Sequence, residues 1–185
     1  MSYETITYEK EGHKAVVTLD RPEVMNAFNR QMQDDLKDVW ARVQRDRDVW
    51  VIIITGAGQR AFCSGADVPG GPSADDPREA NPVKQTLEQV STRLAPKQNG
   101  VFKPTICAVN GVCTAGGFYF LAYSDIPICS ENATFVEPHT SNGLCAVVEP
   151  TLLRFKNVPL HCSCAWCCWG LKSGSAPRRP CASTW

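Results

Sequence analysis

Residues 49–54 (VWVIII) form an unbroken apolar run that ends in Thr-Gly, and PTICAVNG at 104–111 repeats the pattern later in the chain. Each run is too short for a helix of its own, and the β-branched content suits a strand covered on both faces. Such strands belong to parallel sheets, whose neighbours must be joined by crossover segments. This pattern restricts the chain to an α/β arrangement. The segments between the runs agree with it. From Asn29 onwards, Met32, Leu36, Val39, Trp40 and Val43 fall on one face of a helix, with Asn29 as its N-cap. A loop rich in Gly, Pro, Ser and Asp covers 64–82, and Val83, Leu87, Val90 and Leu94 then predict a second helix. Residues 116–123 read as a third helix and 125–131 as a further strand, while residues 3–9 and 14–19 around Gly12 predict an opening hairpin.

At 185 residues the chain suits one domain. Lys and Arg total 19 and Asp and Glu total 19, which leaves no excess charge for a nucleic-acid backbone or an anionic membrane. The N-terminal MSYETITYEKEGHK lacks an apolar signal core, and no stretch reaches the roughly 18 apolar residues of a membrane span. A cytoplasmic protein with free thiols is expected, despite ten cysteines. Near residue 160 the composition changes: 161–185 hold five of the ten Cys and three of the five Trp, and the last acidic residue is Glu149. His161, Cys162, Cys164, Cys167 and Cys168 have short zinc-like spacing, but a closed zinc site pairs two separated knuckles, so no metal is expected. The expectation is a core over 1–160 and an atypical, non-native or disordered tail over 161–185, as a shifted frame or alternative end would produce.

Two glycine loops follow the two apolar runs. In GAGQRAFCSGADV (56–68), Gly56, Gly58 and Ala61 match a dinucleotide-binding fingerprint. That fingerprint must open a helix, and Gly65, Pro69, Gly70, Gly71 and Pro72 rule one out. In NGVCTAGGFYF (110–120), Gly116 and Gly117 stand at a helix start. Two strand-end loops with free N–H groups can aim donors at one point and stabilise an oxyanion. The competing reading is that Gly116 and Gly117 only allow close packing of a helix on a strand.

LDRPEVMNAF (19–28), AFCSGADV (61–68) and KPTICAVNGVCTAGGFYFLAYSDIPICSENATF (103–135) together resemble the successive signatures of the crotonase superfamily, the enoyl-CoA hydratase/isomerase family, over roughly residues 5–158. The resemblance implies a spiral of ββα units in two nearly perpendicular sheets, assembled as trimers or hexamers. It implies an acyl-CoA thioester substrate, with no cofactor beyond the coenzyme A of that substrate. Carried over by position, it places oxyanion-hole donors at the N–H groups of Ala66 and Gly116. It also places Ala61, Ser64, Ala66, Asp67, Val68 and Gly116 along the coenzyme A site. In the family the C-terminal part is helical, closes over the acyl group and makes trimer contacts; its absence here implies an incomplete fold with exposed apolar surface.

The two glutamates that hydratases of this family use fall at Tyr119 and His139, neither of which is a carboxylate. Glu137, His139 and Glu149 are the nearby candidates for acid–base work, and a carboxylate-oriented His139 suits isomerisation or hydrolytic cleavage. The competing reading makes His139 a hydrogen-bonded loop residue. Tyr119, between Phe118 and Phe120, reads as packing, and nothing in the sequence activates Cys63 or Cys113. From a different functional class, the alternative is a non-catalytic remnant or assembly partner that retains only coenzyme A binding.

Overall fold

The structure, a computed structural model, describes residues 3–67, 93–139 and 148–157. Val68, the tail, and Val83, Leu87 and Val90 of the expected second helix lie outside these; Leu94 is buried but sits in irregular backbone. In chain order the elements are β1 (Ile6–Glu11), β2 (Lys14–Leu19), α1 (Arg30–Arg45), β3 (Val51–Gly56), β4 (Ala61–Cys63), β5 (Thr105–Val109), β6 (Val112–Thr114), α2 (Phe118–Ala122), β7 (Ile126–Cys129), β8 (Thr134–Val136) and α3 (Val148–Leu153).

The larger sheet has the order β1-β2-β3-β5-β7. Only β1 and β2 are antiparallel, turning at Gly12 with φ +58°. β2, β3, β5 and β7 run parallel, in register from Lys14 opposite Val51 to Leu19 opposite Gly56. Helix α1 starts where expected: the Asn29 side chain accepts the Met32 N–H at 2.9 Å. Met32, Leu36, Val39, Trp40 and Val43 are fully buried in the main core.

Burial of the central strands on both faces is not what the structure shows. On β3 and β5, Ile52, Ile54, Cys107 and Val109 are buried, whereas Ile53, Ile106 and Ala108 are half-buried and Ile126 and Ile128 on β7 are exposed. The core cluster lies on one face of this sheet. The helix expected over 116–123 is a 3-10 turn, Ala115–Gly117, running into the five-residue α2.

A second parallel sheet, β4-β6-β8, was not foreseen as strands. Its members have three residues each, too few for a period to show. The chain leaves β3 through a turn into β4, so no helix follows the dinucleotide-like fingerprint. Among the described residues no helix is long and apolar enough to cross a membrane. The four described cysteines, Cys63, Cys107, Cys113 and Cys129, are free.

Candidate functional site

The small sheet gathers the residues singled out from sequence. Ala61 pairs with Val112 and Cys63 with Cys113, and Thr114 pairs with Val136, all in parallel. Parallel strands release their chains at a common end, where α/β sheets place their ligands. Residues 64–67, 115–117 and 137–139 therefore leave the sheet on the same side.

The first loop is bonded to Phe28 through the main chain. The Phe28 N–H donates to the Gly65 carbonyl at 2.9 Å, and the Asp67 N–H donates to the Phe28 carbonyl at 2.9 Å. In this bridge Ala66 is the residue between the two bonds, so its own N–H points away from Phe28. Ala66 is exposed. Gly65 has φ +95°, which favours glycine, and a methyl group there would lie 2.8 Å from Ala115 Cβ and 3.3 Å from the Gly116 nitrogen. The two loops thus touch, with Gly116 next to the residue that precedes Ala66.

Gly116 is the second residue of its 3-10 turn, where no carbonyl of the preceding turn can accept its N–H. Among the described residues, neither the Ala66 nor the Gly116 N–H has a backbone acceptor. A methyl group on Gly116 would sit 2.5 Å from Phe28 Cε1, and one on Gly117 would sit 2.7 Å from the Cys63 carbonyl oxygen. Gly117 is therefore a packing glycine, as the competing reading had it, while Gly116 meets a side chain.

The other first-loop residues are tied into the segment before α1. Ala61 is buried in β4. The Ser64 N–H donates to the Met25 carbonyl at 3.1 Å and its hydroxyl to the Val24 carbonyl at 3.3 Å. Asp67 pairs with Arg21 at 2.8 Å, and the Arg21 guanidinium also donates to the Ala27 carbonyl at 2.7 Å. Arg21, Asn26 and Phe28 lie in the 19–28 motif, where residue type alone assigns them no role. Asn26, fully buried with φ +55°, was the available signal: a polar residue that can occupy the left-handed region in the middle of a turn.

On the third loop Glu137 and His139 form a pair. The Glu137 carboxylate is buried and takes both the His139 main-chain N–H, at 3.1 Å, and the ring nitrogen Nδ1. With Nδ1–H donating, Nε2 keeps the lone pair. Glu149 lies in α3, but its side chain is outside the described residues. Tyr119 is buried in the core cluster, as expected of packing. Burial pushes the Cys63 thiol up to about 12 and the Cys113 thiol well above its ordinary value, which leaves neither as a thiolate. Among the described residues no group of three His, Cys, Asp or Glu could hold a metal.

The chain also matches proteins of known family. The family model described as enoyl-CoA hydratase/isomerase matches residues 9–164. The chain is 37% identical over 130 residues to the (E)-benzylidenesuccinyl-CoA hydratase of Thauera aromatica, covering 70% of this chain and 48% of that protein. It is 32% identical over 145 residues to the short-chain-enoyl-CoA hydratase of Clostridium acetobutylicum, covering 78% of this chain and 53% of that protein. Among solved structures it resembles an enoyl-CoA hydratase/isomerase from Mycobacterium paratuberculosis with a TM-score of 0.76 and 34% identity, over 92% of this chain and 62% of that one. The chain spans about half the length of the curated relatives it matches. Its two sheets, its ordered motifs and these matches make the chain a member of the enoyl-CoA hydratase/isomerase family, within the crotonase superfamily.

Proposed function

We propose that the chain processes acyl-CoA thioesters through an enolate, with the N–H groups of Ala66 and Gly116 as an oxyanion hole and His139 as the base. The observation that carries this is the meeting of two loops in which, among the described residues, the Ala66 and Gly116 N–H groups lack backbone acceptors, at the same sheet end as the pair of Glu137 and His139. When the base takes the α-proton, the C–H electron pair becomes the enolate double bond and the carbonyl pair moves onto oxygen. Two fixed donors stabilise that oxygen, each lowering the barrier by about 3 kcal/mol. The buried Glu137 carboxylate holds the imidazole through Nδ1, which leaves Nε2 to meet the α-proton. Isomerisation or hydrolytic cleavage fits this single base better than hydration, for which Tyr119 and His139 stand at both glutamate positions. Ala61, Ser64, Asp67 and Val68 are proposed to shape the coenzyme A side of the site, Ser64 and Asp67 by fixing the loop.

The test is exchange of the α-protons of butyryl-CoA in deuterated water, followed by mass spectrometry. Wild-type protein is expected to exchange them well above the buffer rate. Ala66→Pro removes the outward N–H without removing a backbone bond, and is expected to slow exchange by about 100-fold. Absence of exchange above buffer in the wild type would overturn the enolate reading. A second reading, binding without turnover, is favoured by the buried Tyr119 in place of a carboxylate. It predicts tight butyryl-CoA binding with no exchange.

A further inference from the structure

The segment 21–28 is not absorbed by the mechanism above, yet one of its residues touches both donor loops. The Phe28 main chain bonds Gly65 and Asp67 on either side of Ala66. Its ring lies in van der Waals contact range of Gly116, with Cε1 and Cζ 2.5 and 2.7 Å from the position a Gly116 methyl would take. Phe28 is itself buried in the core cluster. Behind it, Asn26 accepts the Arg21 N–H at 3.0 Å and donates to the Ala57 and Ala61 carbonyls at 3.0 and 2.8 Å. Arg21 reaches Asp67 just beyond the bridge.

We propose that Phe28 is a positioning residue that fixes both oxyanion donors, Ala66 through its main chain and Gly116 through its ring, so that their spacing is set from outside the two glycine loops. The inference rests on the oxyanion reading above. A side chain that filled less space would leave the Gly116 turn free to settle towards it, and the Gly116 N–H would lose its aim while the Ala66 bridge survived. Substrate affinity draws on the whole coenzyme A contact and depends less on that aim.

The experiment is infrared difference spectroscopy of butyryl-CoA labelled with carbon-13 at the carbonyl, bound to the full chain. In the wild type the carbonyl band is expected to shift to lower frequency on binding. Phe28→Leu stays apolar and keeps the main-chain bridge but lacks the ring atoms that face Gly116. It is expected to bind within about tenfold of wild-type affinity while the band returns most of the way to the free thioester. Gly116→Ala, whose methyl group must displace the ring or the turn, is expected to move the band in the same direction. Leu36→Ala, a buried cavity in α1 away from both loops, controls for general loosening and is expected to leave the band in place. A full wild-type shift in either Phe28→Leu or Gly116→Ala overturns the proposal, as does an equal loss in Leu36→Ala. A wild-type band that does not shift on binding overturns the oxyanion reading itself, and this inference with it.

Discussion

At the scale of single residues, two carboxylates in this chain do different work. Glu137 faces a histidine, whereas Asp35 is a structural acceptor: it takes the Thr5 N–H at 3.0 Å, the Thr5 hydroxyl at 2.7 Å and the Gln31 amide at 2.8 Å, pinning the entry to β1 against α1. Burial alone pushes its carboxyl up, but the bonds from Thr5, Gln31 and the Glu4 N–H together hold it below the usual range. A depressed carboxylate stabilises the fold above its unfolded pKa of about 3.9, and that contribution is lost as pH falls through the folded value. Urea unfolding of wild type and Asp35→Ala is therefore expected to differ by about 1–3 kcal/mol at pH 6, and the gap is expected to narrow below pH 4. An equal gap at both pH values would show that packing, not charge, is what Asp35 supplies. The corresponding functional test is His139→Ala, expected to slow α-proton exchange of butyryl-CoA by about 100-fold or more. Exchange at the wild-type rate would make His139 a loop residue only.

At the scale of elements, the legible parts were those with a period to read. Helix α1 carries its apolar face from Met32 to Val43, about three turns, and its cap in Asn29, and Asn29→Ala is expected to cost about 1 kcal/mol in chemical unfolding. Strands β1, β2, β3, β5 and β7 were visible as β-branched runs. The small sheet was not, because three residues hold no alternation that could separate a strand from a turn. Burial on one face only was also out of reach, since an apolar run does not tell which side a helix will cover. In the site, the glycine loops and the candidates Glu137, His139 and Glu149 were readable from local residue types, but the pairing of Glu137 with His139 was not, because sequence fixes no partner for the ring. The scaffold of 21–28 is not legible in the sequence, because Asn26 bonds Ala61 across 35 positions and local pattern carries no such pairing. Asn26→Asp tests that scaffold directly. It would turn the amide donors towards the Ala57 and Ala61 carbonyls into acceptors, so a loss of at least about 2 kcal/mol is expected. The loss should grow as pH rises above about 4, because a carboxylate facing carbonyls has a raised folded pKa and its ionised form is the disfavoured one.

At the scale of the whole molecule, the question is whether the described sheets and loops hold together as a ligand-binding unit. The larger sheet, the small sheet and α1 share one core cluster, which includes Phe28, Cys63, Cys113 and Phe118 from around the loops as well as Ile52, Ile54 and Trp40 from the large sheet and helix. Loops anchored in a shared core cannot lose their geometry without strain reaching the rest of it. Binding at the loops should therefore stabilise the whole cooperative unit and not only a local segment. A ligand that binds only the native state adds RT ln(1 + [L]/Kd), about 2.7 kcal/mol at a hundredfold excess over Kd. For a chain of this size that corresponds to a rise of about 5–10 °C in the unfolding midpoint. Thermal unfolding monitored by far-ultraviolet circular dichroism, with and without saturating butyryl-CoA, is expected to show one transition that moves upward by this amount. Coenzyme A lacking the acyl group is expected to move it less, because in the proposed site the thioester carbonyl is the group that meets the Ala66 and Gly116 donors. Equal shifts for the two ligands would place binding on the nucleotide alone and remove the oxyanion hole from the ground-state contacts. A midpoint that neither ligand moves would mean that these loops, though held by the core, do not form a thioester site in this chain.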